Sequence, residues 1–240
     1  MYLRARGPRL IFVHLGRTGG TTLRQDVLYR CVRPEATFCV DIAEPPARHG
    51  SIAELLALPR KEQEQLRLVL GHMPFGLHER LPAPESWQYV TFLRDPAARI
   101  VSEYFQVRAS PKNPAHAFGM QYGLAEFVRR GLGLSWNGMC RMLSNEVYGE
   151  QFKSPAAMYD AAMGNIERCA LVGLTEHFAE SVRRLCALYS WKELRFGRQY
   201  ALTPAGRPLS DEELSAIREH NELDYRLYEH CRQRFQRAAA

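Results

Sequence analysis

"RLIFVHLGRTGGTTLRQDVLYR", residues 9–30, runs from an apolar stretch through a glycine-rich turn into a helical pattern. "RLIFVH" (9–14) is continuous rather than alternating, so it reads as a strand buried on both faces, the kind a parallel sheet requires. "TTLRQDVLYR" (21–30) reads as the helix that follows it. A helix start leaves backbone N–H groups unpaired, and the helix dipole adds partial positive charge there. Gly19 and Gly20 let the backbone curl around a phosphate, Thr21 and Thr22 add hydroxyl donors, and Arg17 adds a full charge. The competing reading is a structural turn. A Walker A loop is excluded, because there is no Gly-Lys-Ser/Thr and the spacing from Gly16 to Gly20 is one residue short.

The same strand-then-helix rhythm continues outward. "TFCVD" (37–41), "LRLVLGH" (66–72), "WQYVTFLR" (87–94) and "CALVGLTE" (169–176) are further strands. "EPPARHG" (44–50) reads as a loop. Ser51 and Glu54 have capping-box spacing for a helix from about residue 52. "DPAARIVSEYFQVR" starts a helix with Asp95 at the N-cap and Pro96 at the first position. Residues 121–168 are mostly helical in pattern, broken near Gly131 and Pro155. The pattern over 210–237 reads as one long amphipathic helix. Together these predict a single α/β domain over 1–240, a P-loop-like three-layer fold with a mainly parallel central sheet flanked by helices. A helical elaboration is expected over about 105–168. Ligands of such sheets bind at the carboxyl ends of the strands, where His14–Thr22, Gly71-His72 and Arg94 all fall.

Bulk properties narrow the class. The chain has 240 residues, 46% hydrophobic and 24% charged, enough for a real core. Nothing approaches the roughly 18 consecutive apolar residues of a membrane span. The N-terminus lacks a secretory pattern, which predicts a cytoplasmic protein. Cys31, Cys39, Cys140, Cys169, Cys186 and Cys231 form no CxxC pair and no zinc-ligand spacing, so buried free thiols are expected and no metal. The net charge of +6 favours an anionic ligand modestly.

Two further segments carry candidate chemistry. In "FLRDPAARIVSEYF" (92–105) Arg94 ends a strand and Ser102 lies two turns into the next helix, so the two are placed to share a second phosphate. Equally, Arg94 pairs with Asp95 or a nearby acid and Ser102 is solvated, while Arg99 has Asp95 and Glu103 at helical spacing. In "LVLGHMPFGLHE" (68–79) His72 follows a strand and a glycine, a position suited to a general base, with His78 and Glu79 as fallbacks. A lone histidine there is more often a core or hydrogen-bonded residue.

Taken together, these segments resemble the sulfotransferases that use 3′-phosphoadenosine 5′-phosphosulfate (PAPS), in the branch containing carbohydrate 2-O-sulfotransferases and small bacterial relatives. "IFVHLGRTGGTTL" is similar to the family's 5′-phosphosulfate loop, roughly I-P-K-T-G-G-T, and "FLRDPAARIVSEYF" to its 3′-phosphate motif. "GHMPFGLHE" resembles the segment that holds the family's histidine base. The resemblance implies in-line sulfuryl transfer to an acceptor hydroxyl, on a glycan or a small natural product. It implies His72 as base, backbone N–H groups from Thr18 to Thr22 on the 5′-phosphate, Arg17 on the bridging oxygen, and Arg94 and Ser102 on the 3′-phosphate. No metal is implied. Arg17 stands where the family has lysine and Gly16 where it has proline. Arginine is a longer planar fork, and Gly16 is expected to give it room.

Three rivals stand beside this reading. One is a catalytically impaired PAPS-binding protein, one a P-loop-like nucleotide phosphotransferase, and one an RNA-binding module. The acidic residues interleaved with the terminal arginines argue for a solvated helix face and against nucleic acid. The basic loop "FGRQYALTPAGRPLS" (196–210) offers Arg198 and Arg207 as nucleotide contacts. Tyr104, Phe105, Phe118, Tyr122 and Trp136 are candidate acceptor surfaces, with core packing as the default for each.

Overall fold

A computed structural model of the chain describes residues 8–42, 47–192, 194 and 208–237. Six strands make one sheet: β1 (Arg9–Val13), β2 (Thr37–Val40), β3 (Arg48–Gly50), β4 (Leu68–Gly71), β5 (Trp87–Leu93) and β6 (Cys169–Leu174). Their order is β3-β2-β4-β1-β5-β6, and every pairing is parallel. β1 sits between β4 and β5, with Leu10 opposite Leu68 on one side and Gln88 on the other. The expected strand 37–41 ends at Val40, and β3 lies inside the stretch read as a loop. Three residues are too few to carry a periodic signal.

Alternation along β1 sorts its side chains between two layers. Ile11 and Val13 join Val69, Met139, Ile166 and Leu227 on one face. Leu10 and Phe12 join Leu70, Phe92, Leu23 and Leu185 on the other. The second face is covered by helix α1 (20–31) and by the helix Phe178–Leu188. The first is covered by Gly138–Leu143, Pro155–Glu167 and Glu222–Arg237. All six cysteines are free and buried, and burial pushes the Cys31 thiol up to about 12.

Local signals set several boundaries. Ser51 and Glu54 make the reciprocal capping box before Ile52–Ala57. The Asp95 carboxylate accepts from Ala98 N–H, and Pro96 opens the 14-residue helix Pro96–Ala109, hereafter α2. Ser154 caps the helix that Pro155 begins, and Gly131 takes a φ of 64° at the other expected break.

The C-terminal segment departs from expectation: it is two helices, Asp211–His220 and Glu222–Arg237, parted at Asn221. Asn221 is fully buried and donates to the carbonyls of Ser135 and Ile217. It also accepts from Asn137 N–H, while the Asn137 side chain accepts from the N–H groups of Leu223 and Asp224. This exchange of amide bonds supplies partners for backbone that an unbroken helix would not expose. Arg99 also departs from both expected partners. It is 1% exposed, faces Asp224 at 3.9 Å and donates to the Leu134 carbonyl at 2.6 Å.

Candidate functional site

The chain leaves β1 toward β2 on one side and later returns to β5 on the other, so the crevice beyond β1 is where the connections diverge. His14 follows β1, Asp41 follows β2, Gly71-His72 close β4, Arg94 follows β5, and Thr175 follows β6. Five strand ends thus deliver polar side chains to one rim.

The glycine-rich loop turns through left-handed conformations at Arg17 (φ 69°) and Gly19 (φ 80°) and enters α1 at Gly20. Thr18 is fully buried, and its hydroxyl donates to the Leu15 carbonyl at 2.9 Å, so it braces the loop from inside. Thr175 donates to the carbonyls of Thr18 and Leu93, both at 2.8 Å, tying the loop to β5 and β6. Thr21 is half-buried, while Thr22 is buried within the first turn. A Cβ at Gly20 would overlap the His14 imidazole, so any side chain there forces that ring to shift. Gly16 is different: a Cβ there meets nothing within 4 Å, so its expected role of making room for Arg17 is not required.

Arg17, Ser102 and Arg94 come together. Arg17 Nε donates to Ser102 Oγ at 3.0 Å and its Nη1 donates to Gln106 Oε1 at 3.1 Å. Arg94 Nη1 donates to the Arg17 carbonyl at 3.1 Å. Ser102 is buried at the second turn of α2, not solvated. Burial lowers the Arg17 guanidinium from its usual range, with Glu103 opposing. Both side chains to which it donates, Ser102 and Gln106, are neutral.

His72 lies half-buried beside this group. Gly71 adopts a φ of 136°, and a Cβ there would overlap the Val40 carbonyl oxygen. Only glycine carries the chain through that turn, and the turn sets the His72 ring against His14 with centroids 4.9 Å apart and planes at 22°. Burial lowers the His72 pKa below its usual range; hydrogen bonding to the His14 backbone raises it, Arg24 lowers it and Asp41 raises it. The fallback bases are elsewhere. His78 Nδ1 is 3.1 Å from Tyr89 Oη, and Glu79 faces Arg168 at 3.7 Å.

Two buried residues at this rim, His14 and Arg24, were not singled out from the sequence as functional side chains. His14 is 8% exposed, and Arg24 Nη1 lies 3.1 Å from its Nδ1. Arg24 projects from a π-helical segment, Leu23–Leu28, inside α1. A widened turn is often found at functional sites. The signal in the sequence is a histidine at a strand end and a basic residue ten positions on, which becomes meaningful only once the helix packs back on the strand. Arg198 and Arg207 lie outside the described residues. Of the aromatic candidates, Tyr104 is buried and donates to the Tyr122 carbonyl, whereas Phe118 and Trp136 are exposed. Among the described residues no group of three or more His, Cys, Asp or Glu side chains is gathered for a metal. Among them also, no helix is long and apolar enough to cross a membrane.

No protein-family model matches the chain. It is 26% identical to heparan-sulfate 6-O-sulfotransferase 1 of Homo sapiens over 95% of this chain and 65% of that protein. It is 25% identical to heparan-sulfate 6-O-sulfotransferase 1-A of Danio rerio over 93% of this chain and 64% of that one. The chain therefore spans just under two thirds of the length of these curated relatives. Among solved structures it is similar to mouse sulfotransferase SULT7A1 complexed with PAP (16% identity, TM-score 0.44, 92% of this chain and 66% of that one). It is also similar to a sulfotransferase from Alicyclobacillus acidocaldarius (12% identity, TM-score 0.47, 90% and 92%). The curated relatives named here are 6-O enzymes by name.

Proposed function

We propose that this chain, related to sulfotransferases over nearly its whole length, moves a sulfuryl group from PAPS to an acceptor hydroxyl. The observation that supports this most is the convergence of Arg17, Ser102 and Arg94 on one glycine-rich loop. A half-buried guanidinium hydrogen-bonded to neutral groups suits an anion better than a neutral ligand. A serine hydroxyl that accepts from Arg17 still has its own proton to donate to a phosphate oxygen. Backbone N–H groups from Thr18 to Thr22 hold the 5′-phosphate at the start of α1. Arg94 and Ser102 hold the 3′-phosphate, and Arg17 stabilises charge on the oxygen that bridges sulfur and phosphorus.

PAPS supplies the sulfuryl group, leaving as 3′,5′-adenosine bisphosphate. His72 takes the acceptor hydroxyl proton as the new oxygen–sulfur bond forms and the bridging sulfur–oxygen bond breaks. A histidine whose pKa is lowered by burial is neutral at pH 7, so a ring nitrogen is free to accept that proton. The relatives named above support a sugar hydroxyl as acceptor, on a glycan or a glycosylated natural product.

The test is calorimetric titration of 3′,5′-adenosine bisphosphate and of AMP into wild type and Arg94→Ala. Micromolar binding of the bisphosphate, weak AMP binding and loss in the variant support the reading. Equal binding of the two nucleotides overturns it and brings forward a phosphotransferase, for which magnesium-dependent turnover is the readout. Bisphosphate binding with no turnover on any sugar acceptor would mark a catalytically impaired binding protein.

A further inference from the structure

We infer that His14 is a positioning residue for His72: a neutral imidazole, locked in one tautomer by Arg24, forms the flat wall that fixes the His72 ring at the end of β4. This rests on the reading of His72 as the base. Arg24 has only donors, so the His14 Nδ1 that lies 3.1 Å from its Nη1 must offer a lone pair. The His14 proton is then on Nε2, the atom that sits against Gly20 in the glycine-rich loop. A second proton on Nδ1 would face the guanidinium directly. Burial first, then His72, Arg24 and Arg17, hold the His14 pKa well below the usual range, in agreement with that geometry.

The consequence for His72 is specific. Its ring stacks on that of His14, with centroids 4.9 Å apart and planes at 22°, so one flat face is turned to the imidazole. Its hydrogen bond to the His14 backbone places a proton on the ring nitrogen nearest β1. The other nitrogen then carries the lone pair and faces away from β1. The charged and titratable groups that face His72 are His14 from the end of β1, Arg24 from α1 and Asp41 from the end of β2. Removing the His14 ring leaves its carbonyl in place, so the side chain's contribution can be read separately.

The experiment is a heteronuclear NMR titration of the histidine rings in wild type, His14→Ala and His14→Phe, with bisphosphate calorimetry on the same samples. In wild type, His14 is expected as the Nε2–H tautomer and His72 to titrate below about 6.5. In His14→Ala, His72 is expected to rise toward about 6.5, while its tautomer stays set by the His14 carbonyl. His14→Phe, which restores a flat ring, is expected to bring the His72 titration back toward wild type. A His72 curve unchanged in both variants, or a wild-type His14 with its proton on Nδ1, overturns the inference. If His14→Ala does not fold, His14→Phe and the wild-type tautomer decide it alone. The titration needs neither donor nor acceptor, so its outcome is independent of the function. Absence of bisphosphate binding by wild type would sink the function and leave the histidine result standing.

Discussion

Two arginines, one buried and one half-buried, show how the same side chain serves opposite ends. Arg99, on the buried side of α2, faces a carboxylate: Asp224 stands 3.9 Å away and also accepts from the N–H groups of Met139 and Cys140. Arg17, on the loop before α1, is bonded to a serine hydroxyl and a glutamine carbonyl. A buried cation with a fixed carboxylate is structure, since removing either partner strands a charge. A half-buried cation hydrogen-bonded only to neutral groups, with Glu103 acting on it through its charge, keeps donors that an incoming anion can take. Net charge does not distinguish the two; the partners do.

Breaking the first of these pairs should have the largest effect. Asp224→Ala is expected to cost about 3–5 kcal/mol in chemical denaturation, because it strands the Arg99 charge and two helix-start N–H groups. A loss under about 1 kcal/mol would show that the contact is incidental and the contrast unfounded. Arg17→Met should behave in the opposite sense. Its unfolding free energy should change by less than about 1 kcal/mol, while affinity for 3′,5′-adenosine bisphosphate falls roughly 30-fold, as when one partner of a desolvated charge pair is removed. Comparable losses of stability in both variants would erase the distinction.

The glycine-rich loop offers a sharper test at intermediate size. Gly20→Ala drives a methyl group into the His14 ring and should cost about 1–3 kcal/mol as overpacking. Gly20→Ala combined with His14→Ala should recover most of that, a coupling a double-mutant cycle reads directly. No recovery would mean that Gly20 is needed for backbone reasons instead.

The smallest expected effect is on the pH dependence of stability. His14 and His72 both have folded pKa values below their unfolded ones. On acidification the unfolded chain therefore takes up protons first. Stability is fully present above about pH 6.5 and declines as pH falls from there toward the folded values, by at most about 1.4 kcal/mol per pH unit for each group. Melting temperature from pH 7.5 to 5.5 should fall in wild type and fall less in His14→Phe. A rise on acidification would reverse the sign and contradict the burial of the pair.

What was legible from the sequence was local. An unbroken apolar run followed by glycines marks β1 and its loop, because such a run is comfortable only between two layers of a parallel sheet. Asp95-Pro96 and Ser51–Glu54 mark helix starts, because capping uses side chains within three residues of the backbone they satisfy. Strand ends gather ligand-facing groups in this class of sheet, and so the sequence alone places His72, Arg94 and the loop at one rim.

Contacts between distant segments were decided only by the tertiary structure. Nothing near Asn221 announces that Asn137 and Ser135, more than 80 positions earlier, supply the partners that allow a helix to break there. Arg99 had two carboxylates at helical spacing and instead faces a third, 125 positions away, because helix packing sets its surroundings. The partners of Arg17, and the stacking of His14 on His72, likewise depend on how α1, α2 and β4 meet. Periodicity and capping chemistry reach one helical turn. The environment that tunes a charge is set by chain segments that sequence spacing does not order.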